Sequence, residues 1–119
     1  MTKMYSTKNF TAEEFACKHT GEHGIQKHVV DKIQALRDMV GRPLTITSAY
    51  RSPTHPIEAK KSKAGTHAQG LAVDIKVSSG AERYELIQCG LLLGATGIGV
   101  NKTFIHLDWR EGTPVAWEY

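Results

Sequence analysis

Thr66-His67-Ala68-Gln69-Gly70-Leu71-Ala72-Val73-Asp74 is the stretch on which the fold and the chemistry of this chain turn. A polar, glycine-containing loop, Ser62-Lys63-Ala64-Gly65, leads into it, and the apolar run from Leu71 to Val77 reads as a buried strand. Asp74 interrupts that run. A carboxylate among Ala72, Val73, Ile75 and Val77 is costly to bury unless positive charge faces it. A metal ion meets that need, and His67 on the adjoining loop is a suitable co-ligand. The alternative is an Asp on the solvent side of an edge strand with His67 an ordinary loop residue, and this stretch leaves both open.

A second run, Thr103-Phe104-Ile105-His106-Leu107-Asp108-Trp109, narrows the choice. It alternates as a strand does, which places Phe104, His106 and Asp108 on one face and Ile105 and Leu107 on the other. Two metal-capable groups on one face of an otherwise apolar strand are a poor way to build a core. His67, Asp74 and His106 together supply two imidazoles and a carboxylate. Three protein ligands with a position left for water is the arrangement of a catalytic zinc site, whereas structural zinc sites are closed by four ligands and rich in Cys.

Bulk properties set the frame. At 119 residues the chain is expected to form one domain, residues 1–119, with a single core. No apolar stretch reaches membrane-spanning length, since Gly90 and Gly94 break the one around Leu91-Leu92-Leu93, so no membrane insertion is expected. The start, Met1-Thr2-Lys3-Met4-Tyr5-Ser6, lacks the apolar core of a secretory signal, which predicts cytoplasmic synthesis. A net charge of +3 suits an anionic polymer as partner and is too small to argue for nucleic acid. Cys17 and Cys89 are far apart and read as free buried thiols. A second metal site at Cys17, His19 and His23 lacks a fourth ligand and sits in a segment that reads as a solvated loop.

The remaining elements follow from caps and periodicity. Asn9 to Phe15 is a compact helix start, with Thr11 and Glu14 as a capping box and Phe10 stapled against Phe15. Val29 to Val40 is the clearest helix, its Val29, Ile33, Leu36 and Val40 at core spacing and Gly41 and Pro43 at its end. Leu44 to Tyr50 reads as a strand that delivers Arg51-Ser52-Pro53 at its end. Thr54 to Thr66 is a lysine-rich short helix or irregular loop. Ser79 and Glu82 form another capping box, opening a helix to Leu93 with Ala81, Tyr84, Ile87 and Leu91 inward. Gly97 to Val100 and Phe104 to Trp109 form a hairpin through Asn101-Lys102, and Val115 to Trp117 adds a last short strand. The sum is an α+β domain, with helices on one side of a small, mostly antiparallel sheet that carries the polar cluster. Arg51, leaving its strand beside that cluster, can hold a substrate carboxylate bidentately or can be an ordinary surface ion-pair partner.

With Arg51, His67, Asp74 and His106 in place, the chain resembles the M15 metallopeptidases, D-Ala-D-Ala carboxypeptidases and peptidoglycan endopeptidases that share a fold core with the hedgehog signalling domain. Ser48-Ala49-Tyr50-Arg51-Ser52-Pro53 resembles the family's S-G-Y-R-S-P segment. His67, Gly70, Ala72 and Asp74 match S-x-H-x-x-G-x-A-x-D, and Phe104-Ile105-His106-Leu107-Asp108 matches F-x-H-x-D. The two metal motifs together are specific, and either alone is weak. Two positions depart from the pattern. Ala64-Gly65-Thr66 stands where the family has its Ser, and Thr103 occupies the place where several branches carry an acidic general base.

The resemblance implies zinc at His67, Asp74 and His106, and Arg51 in the substrate cleft. It implies a substrate in the peptide part of peptidoglycan, cut by zinc-assisted amide hydrolysis in a monomeric enzyme. With Thr103 in the base position, the proton acceptor is expected at Asp108, which can equally orient a zinc-ligating imidazole or pair with an Arg such as Arg51. The loop near His55 and Glu58 is the next place to look. The small single-domain branch, common in phages, implies an endolysin released to the wall through a holin. The rivals are a hedgehog-like zinc module without hydrolysis and a virion- or tail-associated wall-penetration peptidase.

Overall fold

The computed structural model describes residues 3–119. It is an α+β structure with one five-stranded sheet. In chain order the strands are β1 (Ile46–Ser48), β2 (Ala72–Lys76), β3 (Gly97–Val100), β4 (Phe104–Asp108) and β5 (Val115–Glu118), with helices α1 (Lys27–Val40) and α2 (Gly80–Leu92). The spatial order is β1-β2-β4-β3-β5, antiparallel throughout except for the parallel β3–β5 pair at one edge. β2 is therefore an interior strand, which removes the edge-strand reading of Asp74.

The two faces of the sheet divide the work. Val73, Ile75, Ile105, Leu107 and Ile98 point to one side and join Val29, Ile33, Leu36 and Leu86 from the helices in a continuous core. Strand alternation then sends Asp74, His106 and Asp108 to the opposite face. None of the described helices is long and apolar enough to cross a membrane.

Local signals place most of the framework. A 3₁₀ turn, Ala12–Phe15, opens where Glu14 Oε1 accepts from the Thr11 backbone N–H at 2.9 Å, and Phe10 packs on Phe15 with ring centroids 5.6 Å apart. α1 begins two residues ahead of the predicted Val29 and ends at Gly41. α2 is capped by Ser79, whose hydroxyl accepts from the Glu82 N–H at 3.1 Å.

Two expectations change. β1 is shorter than the predicted Leu44 to Tyr50, because its register slips between Ile46 and Ser48 and the chain leaves the sheet. Ala49 and Tyr50 then bond elsewhere: the Tyr50 N–H donates to the Phe15 carbonyl. The inward face of α2 is also rotated from the prediction. Tyr84 and Leu91 are 69% and 57% exposed, while Leu86, Cys89 and Gly90 are the buried positions. The reason is close approach at Gly90, where an added Cβ would meet Leu107 Cδ2 at 2.8 Å. Helical spacing finds the apolar residues, but the smallest residue decided which side could lie against the strand.

Candidate metal centre

A single transverse row crosses the sheet. Ser48 on β1 pairs with Asp74 on β2, Asp74 with His106 on β4, His106 with Gly99 on β3, and Gly99 with Trp117 on β5. His67 reaches this row from the loop before β2. Gly70 shapes that loop. It adopts φ +75°, and a Cβ there would collide with the Gly24 carbonyl oxygen, so only glycine lets the turn dock against the segment before α1. The Gln26 N–H donates to the Gly70 carbonyl at 3.0 Å and anchors it.

His67, Asp74 and His106 are all buried, and each offers one ligand atom within 4.8 Å of the others. Asp74 Oδ1 lies 2.9 Å from His106 Nδ1 and 3.3 Å from His67 Nε2. The far nitrogen of each ring is committed. His67 Nδ1 lies 2.7 Å from the Ala49 carbonyl oxygen, and His106 Nε2 lies 2.7 Å from Asp108 Oδ2. Both acceptors require an N–H, so in the neutral rings the proton sits on the far side. Two imidazole lone pairs and a carboxylate oxygen then converge on one another with no proton among them. Such a set is repulsive unless a cation or an added proton occupies the middle, and two nitrogens with one oxygen suit a divalent transition ion. The residues therefore fit the metal that the motifs imply.

Without a cation the electrostatics show what the cluster demands. Burial works to raise the Asp74 pKa, but hydrogen bonds from His106 and His67 overcome it and bring the carboxyl down to about 2. Burial lowers the His106 pKa, and the bonds to Asp108 and Asp74 reverse this, so the imidazole is more basic than usual.

A family model for peptidase M15 matches residues 8–108. The chain belongs to the peptidase M15 family. The matched span takes in Arg51, all three cluster residues and Asp108. A search of curated proteins found no match.

In this M15 peptidase Arg51 is not a surface residue. Its side chain is 17% exposed, with one guanidinium nitrogen 3.9 Å from Asp74 Oδ2 and the other 3.5 Å from Glu58 Oε2. Glu58 fixes it there. The carboxylate is buried in a 3₁₀ turn, Glu58–Lys60, where it also accepts from Lys61 Nζ at 3.1 Å and from the Gly65 N–H at 3.3 Å. Burial raises its pKa, and the bonds from Lys61, Gly65 and Arg51 more than reverse the effect. Glu58 thus holds Arg51 in place. His55 Nδ1 accepts from the Ile57 N–H at 3.1 Å, and burial together with Arg51 lowers its pKa. A neutral His55 presents an Nε2–H donor.

Asp108 stands beside His106 on the same strand. It is 0% exposed and lies behind His106, on the far side of that ring from Asp74. Its carboxylate takes a forked pair from Arg110, Nε to Oδ1 at 2.9 Å and an NH₂ group to Oδ2 at 2.6 Å, and Oδ1 also accepts the Arg110 backbone N–H at 3.1 Å. Burial acts to raise its pKa, but Arg110 and His106 hold it far below the carboxylate range. Of the partners expected for Asp108, the structure shows the imidazole of His106 and an arginine, which is Arg110 rather than Arg51.

Several residues of the site escaped sequence reasoning. Arg110 had no motif to mark it, and the sequence points to Glu58 as a base candidate rather than as a partner of Arg51. Gly97 and Gly99 did carry a signal, because a G-x-G alternation inside a strand marks close approach of something from a neighbour. A Cβ at Gly97 would collide with the Asp108 carboxylate, and one at Gly99 would meet Trp117 at 2.8 Å. Trp117 packs on His106 with centroids 5.0 Å apart, and the Arg110 guanidinium lies 5.1 Å from the Trp117 ring. A cleft of 580 Å³ opens between Thr66, Gln69 and Leu71 and the Trp109 to Glu111 segment, and none of the three cluster residues lines it. Among the described residues the His67–Asp74–His106 group is the only such metal-capable set, so Cys17, His19 and His23 do not form a second one. Both cysteines are free and buried.

Proposed function

We propose that this M15 peptidase is a zinc enzyme that hydrolyses amide bonds in the peptide part of peptidoglycan, acting as a phage-type endolysin. The observation that carries the reading is the convergence of two imidazole lone pairs and the Asp74 carboxylate, with both far nitrogens bonded to Ala49 and Asp108. His67 Nε2, Asp74 Oδ1 and His106 Nδ1 would hold the ion. Zinc bound there supplies Lewis acidity toward the scissile carbonyl and makes water acidic enough to attack near neutral pH.

The chain's own groups do the rest. The Ala49 carbonyl and Asp108 fix the two ring tautomers, so that the lone pairs face inward without a search through ring flips. Arg110 keeps Asp108 ionised and aimed, which makes Asp108 an orienting group. Arg51, held by Glu58, presents a fixed positive charge at the edge of the cluster. A carboxylate or polarised carbonyl of a peptide stem would be placed by it, and its contribution is positioning. The mildly basic chain suits an anionic wall polymer.

Incubation of the zinc-loaded protein with purified peptidoglycan, followed by mass spectrometry of released fragments, tests the reading and identifies the bond cut. Fragments that appear only with metal support it. Stoichiometric zinc with no release would make the chain a hedgehog-like binding module instead.

A further inference from the structure

β5 contributes almost nothing to the core: Val115, Ala116 and Glu118 are exposed, and only Trp117 is half-buried. Its aromatic residues lie instead on the face that carries the metal cluster. Tyr119, which follows β5, packs against Phe104 with ring centroids 5.1 Å apart and stands 6.4 Å from Trp117. Its distal edge leans over the sheet, because a Cβ built on Gly99 would meet Tyr119 Cε2 at 2.9 Å. Gly99 is the direct strand neighbour of His106. The hydroxyl end of Tyr119 is thereby carried toward the metal row, over a strand position that has no side chain to block it.

We propose that Tyr119 is a catalytic residue of this site, its hydroxyl donating a hydrogen bond to the carbonyl oxygen of the amide being cleaved, with Trp117 and Phe104 holding the ring in place over Gly99. The inference rests on the peptidase reading and deepens it. The residue as a whole is 62% exposed, and its phenol is only partly buried. That burial raises the phenol above its ordinary value, and the Asp74 and Asp108 carboxylates add to the rise against the opposing effects of the Trp117 indole N–H and Arg51. A phenol in this setting keeps its proton at neutral pH and is a donor. Negative charge grows on the carbonyl oxygen as the amide is attacked, so a donor aimed there is stronger in the transition state than in the ground state. The position across the cluster from Arg51 lets the two groups act on different oxygens of one substrate.

The test compares Tyr119→Phe and Tyr119→Ala with the zinc-loaded wild type on purified peptidoglycan, alongside metal content, thermal melting and calorimetric affinity for a phosphinic pseudodipeptide, whose tetrahedral oxygens mimic the attacked amide. The expected result is a loss in kcat on the order of 100-fold for Tyr119→Phe, KM little changed, zinc and melting as in wild type, and weaker phosphinate binding. Tyr84→Phe, on the exposed face of α2, should behave as wild type. A fully active Tyr119→Phe beside an impaired Tyr119→Ala would reduce Tyr119 to an apolar wall and overturn the donor role. Full activity in both would remove Tyr119 from the site altogether. An inert, zinc-loaded wild type would instead overturn the peptidase reading, and unchanged phosphinate affinity in Tyr119→Phe would still count against the donor.

Discussion

Asp108→Asn separates an orienting carboxylate from a base at the one residue where both roles were conceivable. The substitution keeps the shape but not the charge. In the native arrangement one carboxylate serves four donors: His106 Nε2–H at 2.7 Å, the Nε and one NH₂ group of the forked Arg110 side chain, and the Arg110 backbone N–H. An amide cannot serve them all. With its oxygen toward His106, its NH₂ faces the Arg110 guanidinium, donor against donor in a site that is 0% exposed. With its oxygen toward Arg110, its NH₂ faces His106 Nε2 and favours the tautomer with the proton on Nδ1, the atom that would hold the ion. Either outcome weakens the metal. The loss of such an orienting partner amounts to roughly 10- to 100-fold in affinity, about 1.4–2.7 kcal/mol. The assay is a zinc competition titration against a chromophoric chelator, followed by kcat on peptidoglycan at saturating zinc. Added zinc should restore most of the activity. Native zinc affinity with kcat down by roughly 10²–10⁴-fold would be the signature of a lost base, and would refute the orienting role.

The other expectations can be checked together. One zinc per chain should appear in elemental analysis, and His67→Ala or His106→Ala should abolish both metal and activity; stoichiometric metal in either variant would sink the ligand assignment. Arg51→Ala should keep the metal and lose about ten- to a hundred-fold in kcat/KM, the size of one charge-assisted pair at about 1.5–3 kcal/mol, and Glu58→Gln should show a smaller loss in the same parameter because it only loosens Arg51. Gly97→Ala should drive a methyl into the Asp108 carboxylate and cost about 1–3 kcal/mol, read as a lowered melting temperature. For the metal-free protein, Asp74 has a folded-state pKa of about 2 against 3.8 unperturbed. It binds protons more weakly folded than unfolded, so its contribution of about 2 kcal/mol is present above pH 4 and is lost as the pH falls toward 2. Asp74→Asn should flatten that part of the acid-melting curve.

Much of this protein was legible in the residues. The interruption of an apolar strand by Asp74, and the placing of His106 on one face between inward Ile105 and Leu107, are matters of period-two alternation and need no partner strand to be seen. Caps at Thr11 and Ser79 and the stop at Gly41 are similarly local. The antiparallel hairpin of β3 and β4 followed from its turn. What the pattern could not contain was pairing. That β2 lies between β1 and β4, and that Asp74 therefore sits directly beside His106, depends on which strands hydrogen-bond, a non-local choice made by core packing. The same holds for the supporting groups. Asp108 has the spacing of a site residue, but only the tertiary arrangement puts it behind the imidazole, with Arg110 sealing it from water. The sequence marks Glu58 only as a place to look for a base, and the 3₁₀ turn that buries it against Arg51 is a tertiary fact. Tyr84 and Leu91 had the right helical spacing for the core, yet the depth to which Gly90 meets Leu107 turned them outward. Local sequence decides which backbone a segment prefers and which faces it presents, because those energies are set within a few residues. Which presented face meets which neighbour, and so which charge is buried, shared or left to the solvent, is decided when distant segments compete for the same space.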